Sequence, residues 1–350
     1  MRGNAPDHDQ EPRSKMMRLK HCILDRTVGS CTGTGYDALP MKTSLDHLPA
    51  HKQREIERVV QILFEEFDDN FALASHEWKK KGRILKVVLY GSYARGGWVD
   101  EPHTTKGYKS DYDLLIIVSD KRLTDRAKYW SKLDDRLNRE YGLTGTLKTP
   151  VNFIVHSLQE VNDGLAHGRY FFMDVAQDGI ALYQSDDTEL HTPKPKTPKQ
   201  ALKMAQEYFD EWIPAASGIL ETARFSQEKG RLKDAAFLLH QATERLFHGI
   251  LLVCTFYTPH VHNLGFLRTQ AERLDLRLVY AWPRETRKER AMFEKLKEAY
   301  VKARYSKHYL ISEEELTWLG ERVEELGRAV HEICLEQLAA LRAKADGQAA

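Results

Sequence analysis

The stretch 185–199, SDDTELHTPKPKTPK, separates two parts of the chain written in different hydrophobic periods, and this break constrains the fold more than any other feature. Before it, short β-branched apolar runs alternate with helical patterns; after it, only helical spacing occurs, over 200–228, 231–257, 261–275, 286–308 and 312–344. A stretch rich in Pro, Lys and Thr without an apolar pattern is expected to be a linker, here 186–199. The 350 residues also exceed what one core organises well. The expected architecture is an α+β unit over 41–185, a mixed sheet flanked by helices, followed by an all-α helical bundle over 200–345. Residues 1–40 have no periodicity and are expected to be a disordered or mis-set N-terminal extension, because Met41 opens the patterned part.

In the first part, Ile56, Val59, Val60, Leu63, Phe67 and Phe71 recur at helical spacing, which predicts one long amphipathic helix over 49–81, ended by Gly82. ILKVVLY (84–90), SDYDLLIIV (110–118) and VNFIVH (151–156) are too short for helices and read as buried strands. A polar helix is expected over 125–141, and FFMDVAQDGIALY (171–183), with its turn-like Gln177-Asp178-Gly179, reads as a hairpin.

The 52 basic and 51 acidic residues nearly cancel, so any site for a polyanion must be local. No apolar run approaches the roughly 20 residues that cross a bilayer, and the N-terminus lacks the apolar centre of a signal peptide. Cys22, Cys31, Cys254 and Cys334 lie far apart without metal-type pairs, which suits a reducing compartment. A cytoplasmic protein with no membrane partner is expected.

Chemistry concentrates in LYGSYARG (89–96) and SDYDLL (110–115). A strand entering Gly91-Ser92 and then a helix would turn free backbone N–H groups toward a phosphate; glycine permits close approach and Ser92 adds a hydroxyl donor. Side chains two apart on a strand face the same way, so Asp111 and Asp113 would point at one site, and such paired carboxylates hold Mg²⁺ or Mn²⁺ against substrate phosphates. Together these elements resemble the minimal nucleotidyltransferase family of the DNA polymerase β superfamily, whose pattern of Gly-Ser, spacer and Asp-x-Asp falls on Gly91, Ser92, Asp111 and Asp113. The resemblance implies transfer of a nucleoside monophosphate from a nucleoside triphosphate, ATP first among them, to an acceptor, with Arg95 as a phosphate or structural partner.

Two departures from that pattern matter. The insert GWVDEPHTTKGYK (97–109) brings Trp98, His103, Lys106, Tyr108 and Lys109 near the site, where they could contact base or acceptor or form a plain surface loop. The third carboxylate that the superfamily often carries on the next strand is replaced by Asn152. An amide cannot take a proton at neutral pH, and losing that acid slows general-base activation by roughly 10²–10⁴-fold. His156, on the same strand face, and Asp174, expected on the following strand, are the candidates to replace it.

In the second part, Ala235, Leu238, Leu239, Ala242, Leu246 and Ile250 form the stripe of a bundle helix, with His240, Gln241, Glu244 and Arg245 beside it. AFLLHQATERL, with the later His262-Asn263-Leu264, resembles HEPN domains over 200–342. That resemblance implies a homodimer through the helical unit. In many members it also implies ribonuclease action by an Arg and a His with four to six residues between them. Arg304-Tyr305-Ser306-Lys307-His308 has only three between, which on a continuous helix would set Arg304 and His308 on one face. Tyr305, Tyr309 and Lys302 make the cluster aromatic and basic, which also suits nucleotide or RNA binding.

The leading expectation is a Mg²⁺-dependent nucleotidyltransferase whose acceptor, by resemblance to toxin–antitoxin pairs, is a protein hydroxyl such as a tyrosine of a HEPN domain. The alternatives are a catalytically weak nucleotide- or RNA-binding regulator, consistent with Asn152; an aminoglycoside-type nucleotidyltransferase; and a HEPN ribonuclease centred on Arg304 and His308.

Overall fold

A computed structural model describes residues 41–71, 76, 79, 81–99, 110–185 and 189–347, which fall into two compact units, 41–196 and 197–347. The extension 1–40 and most of the insert, 100–109, lie outside the described residues.

The first unit runs α1 (Ala50–Phe71), β1 (Ile84–Tyr90), the single turn α2 (Ser92–Arg95), β2 (Tyr112–Val118), α3 (Arg126–Tyr129), α4 (Ser131–Gly142), β3 (Val151–Ser157), α5 (Leu158–Ala166), α6 (Tyr170–Asp178) and β4 (Ile180–Gln184). The strands form one mixed sheet in the order β3-β2-β1-β4, with β2 and β3 parallel and the other pairs antiparallel. Alternation along the strands sorts the residues by face. Val87, Leu89, Tyr112, Leu114, Ile116 and Phe153 join Ile56, Val59 and Leu63 of α1 and Leu133 and Leu137 of α4 in one core. The other face carries Val88 and Tyr90 of β1, Asp113 and Leu115 of β2, and Asn152 and His156 of β3, which align across the register. Helix α6 packs on this second face, with Phe171 edge-on to Tyr90 and Phe172 edge-on to His156.

Three local expectations change. The helix expected over 49–81 is helical over Ala50–Phe71, and most of 72–80 lies outside the described residues. The helix expected over 125–141 is broken at Trp130, whose buried indole N–H donates to the Leu123 carbonyl (2.6 Å) and holds that residue at φ −125°, ψ −3°. The run 171–183 is not a hairpin: α6 occupies its first part, because Phe172, Met173 and Val175 gain burial as a helix, and only β4 is strand. Gly179 makes the junction, since a Cβ there would stand 2.3 Å from the Val175 carbonyl oxygen. In the stretch expected as a linker, Glu189 and His191 hydrogen-bond to Asn162, and the Lys194 amide donates to the Leu165 carbonyl (3.0 Å), so this strap lies along α5.

The second unit is helical: α7 (Pro198–Glu228), α8 (Leu232–Thr255), α9 (Leu264–Glu272), α10 (Arg277–Ala281), α11 (Arg287–Tyr305) and α12 (Glu313–Gly347). Helices α7 and α11 open on capping boxes, Thr197 with Gln200 and Thr286 with Glu289, which satisfy first-turn amides that would otherwise lack partners. Helix α8 is central, burying Ala235, Leu239, Ala242, Leu246 and Ile250. Cys254 and Cys334 are buried free thiols; burial pushes the Cys254 thiol up to about 12, away from reactivity. No helix among the described residues is long and apolar enough to cross a membrane.

Candidate active site

The candidate acids stand where β2 begins. Tyr112 turns into the core, and Asp111 and Asp113, one residue to either side, therefore point to the opposite face. Asp113 is fully buried and sits in register between Tyr90 of β1 and Asn152 of β3. Asp111 is half-buried and its Oδ2 accepts a hydrogen bond from Asn152 Nδ2 (2.8 Å). Asn152 is thus beside both acids, and its amide N–H₂ orients one of them.

The Gly-Ser turn follows directly from β1. Gly91 has φ 79° and ψ −149°, a conformation that glycine alone adopts without strain. Helix α2 that follows is one turn long and closes at Gly96 (φ 73°), so the macrodipole expected from a helix start contributes little here. The feature that remains is Ser92, whose Oγ is buried and hydrogen-bonds no described residue. A buried hydroxyl without a partner is costly, and a bound anion or water at this position would satisfy it. Arg95 is exposed at the end of α2. The neck of the insert is closed by two hydrogen bonds, the Ser110 amide to the Val99 carbonyl (2.8 Å) and the Val99 amide to Ser110 Oγ (3.0 Å).

The replacements expected for the missing acid fare differently. His156 shares the face of Asn152 but lies four residues along β3, about 13 Å at strand rise. Its Nδ1 faces Glu160 (3.4 Å), and this contact, foremost among several hydrogen bonds, holds the Glu160 carboxyl down at about 2 despite burial. His156 is therefore a structural partner of α5. Asp174 is exposed on α6, not on a strand.

In the second unit Arg304 and His308 do not share a helix face. Helix α11 ends at Tyr305 because Ser306 is extended (φ −111°, ψ 124°), and His308 lies in the turn beyond it. The Arg304 guanidinium lies over the rings of Phe237, Tyr300 and Tyr305, at 4.7, 4.7 and 5.0 Å. Tyr305 is 76% exposed, whereas Tyr309 is 4% exposed and donates its hydroxyl to the Lys295 carbonyl (3.1 Å). Burial, with Glu298 and Glu315 adding to it, pushes the Tyr309 phenol well above its ordinary range. The polar run of α8 closes around one carboxylate: Glu244 faces buried His240 (3.4 Å) and exposed His262 (3.1 Å), and His262 stacks on Tyr300 at 4.9 Å.

Beneath the acids lies a group that the sequence reading passed over. Lys52 of α1 is 1% exposed; its Nζ donates to Thr149 Oγ1 (2.7 Å) and stands 3.9 Å from Glu55 Oε2. The signal for it was its position four residues before Ile56, on the same apolar stripe.

Comparison with known proteins bears on both units. The HEPN domain family matches residues 209–333. A relative in Methanocaldococcus jannaschii, named "Putative protein adenylyltransferase", is 33% identical over 105 residues, which cover 30% of this chain and 84% of that protein.

Proposed function

Since this chain belongs to the family of that archaeal relative and contains a HEPN domain, we propose that its first unit is a nucleotidyltransferase of the polymerase β type that moves AMP from ATP to a protein hydroxyl. The observation that carries this reading is the grouping of Asp111, Asp113 and Asn152 on one sheet face, in register with Tyr90, which leads into the Gly91 turn and the unsatisfied Ser92 hydroxyl.

The residues present fit a magnesium ion. Among the described residues no group of three or more His, Cys, Asp or Glu forms a metal cage. Mg²⁺ is ordinarily held by one or two carboxylates, with phosphate oxygens and water completing its shell, so Asp111 and Asp113 are the matching donors. When bound, the ion supplies charge neutralisation at the phosphates. Ser92 Oγ and the backbone at Gly91 hold the triphosphate. The acceptor oxygen forms a bond to the α-phosphorus while the bond from that phosphorus to the bridging oxygen breaks, and pyrophosphate leaves with the electron pair. The acceptor's proton cannot go to Asn152 and passes to solvent water, so turnover is expected to be slow.

Of the two tyrosines at the end of the α11 segment, Tyr305 is the acceptor assigned by this reading, because its phenol is exposed and that of Tyr309 is buried and hydrogen-bonded. The acceptor chain is this one or its partner in a homodimer through the helical unit. Label from α-³²P-ATP should enter the protein, disappear with Asp111→Ala and fall with Tyr305→Phe; labelling that survives Asp111→Ala refutes the reading. The hydrogen bond from Asn152 to Asp111 favours a second reading, a regulator that binds nucleotide with little turnover. Calorimetric binding of ATP and Mg²⁺ without pyrophosphate release would select it.

A further inference from the structure

The four chain segments that build the candidate site all converge on one buried ammonium group. Lys52 Nζ lies 5.6 Å from the ring of Tyr93, the residue after Ser92, and 5.9 Å from that of Tyr112, the residue between the two acids. It lies 5.7 Å from the ring of Trp98, at the start of the insert, and bonds to Thr149, just before the strand of Asn152. Tyr93 stacks on Trp98 (5.3 Å, 5°) and leans on Tyr112 (4.4 Å). Glu55, one helical turn on from Lys52, accepts from the Tyr112 hydroxyl (2.8 Å), the Thr149 hydroxyl (3.0 Å) and the amides of Lys148 and Thr149.

A charge taken out of water persists only where oppositely charged, polar or aromatic groups replace its hydration, and here those groups come from each segment of the site. We propose that Lys52, with Glu55, is the positioning residue that fixes the Gly-Ser turn and the start of the acidic strand relative to each other; what it positions rests on the transferase reading above. Lys52 touches no substrate. It acts through Tyr93 and Tyr112, whose backbones carry Ser92 and the two aspartates.

The test replaces Lys52 by Met, which keeps the stem and removes the charge. Displacement of reacting groups by about 1 Å costs about 10²-fold in rate. The expected result for Lys52→Met is therefore a kcat for AMP transfer lower by about that factor, with KM for ATP changed by less than about threefold because the phosphate cradle survives. Tyr112→Phe removes the link to Glu55. If Lys52 acts through that link, the double variant loses no more than Lys52→Met alone, whereas a merely stabilising lysine gives additive losses. Amide exchange supplies a readout independent of activity: it should quicken at 111–113 and 151–152 and stay unchanged in the core of α1. Unchanged kcat, additive losses, or exchange that quickens throughout the unit each overturn the proposal. Local quickening in a chain whose wild type transfers nothing would keep the positioning role and sink the transferase reading instead.

Discussion

Replacing Asn152 by Asp changes the candidate site by a single atom type and converts the hydrogen bond between Asn152 and Asp111 into a repulsion. In the wild type, Asn152 Nδ2 donates to Asp111 Oδ2 at 2.8 Å. Two carboxylate oxygens at that separation repel by about 6 kcal/mol at an effective permittivity of about 20. The folded chain can avoid this by keeping one proton on the pair, at a cost of about 1.4 kcal/mol for each pH unit above an ordinary aspartate value near 4, which is about 4 kcal/mol at pH 7. Asp111 is half-buried and can rotate toward water, which reduces the net loss to about 2–3 kcal/mol. The sign follows from proton counts: the folded pair keeps a proton that the unfolded chain releases, so stability falls as pH rises from about 4 toward 7. Thermal unfolding of the first unit should show Asn152→Asp close to wild type at pH 4 and lower by about 5–10 °C at pH 7. Millimolar Mg²⁺ should recover most of the deficit, because a dication between the acids removes the repulsion. A variant that tracks wild type at every pH would refute the geometry. A pH-dependent deficit that Mg²⁺ leaves untouched would refute the metal assignment.

In the presence of Mg²⁺ and ATP the same variant should transfer AMP about ten- to a hundredfold faster than wild type, since it regains a proton acceptor; pyrophosphate release measures this. Asp113→Ala, at a fully buried acid, should lower transfer by about 10³-fold in the same assay. Gly164→Ala would put a methyl group 2.3 Å from the Phe172 ring and should destabilise the first unit by about 1–3 kcal/mol in urea unfolding. The Glu160 carboxyl is held down at about 2 by His156, so the stability it adds is complete above about 4.5 and is lost as pH falls toward 2. Wild type and Glu160→Gln should therefore converge in stability across that acid window.

The strands β1, β2 and β3 were legible because short apolar runs rich in β-branched residues and flanked by polar, glycine or proline positions have few other solutions, and the placement of Asp111 and Asp113 on one face follows from alternation alone. Helix α6 was misread because Gln177-Asp178-Gly179 is written like a hairpin turn, and only packing of Phe172 and Met173 against the sheet decides for helix. The end of α11 was misread because nothing local forces Ser306 out of helix; the partner that holds it is Lys233, whose Nζ donates to the Ser306 carbonyl from another helix (2.9 Å). Lys52 and Glu55 escaped notice because charged residues on an amphipathic helix are ordinarily solvated, and their burial depends on aromatic rings at least 38 positions away.

The paired hydrogen bonds between Val99 and Ser110 work as a clasp at the base of the insert. With Ser110 itself buried, the clasp fixes where the chain leaves the Gly-Ser turn and where it rejoins the acidic strand. The residues between are then a cassette that can change in length or chemistry while the acids keep their places.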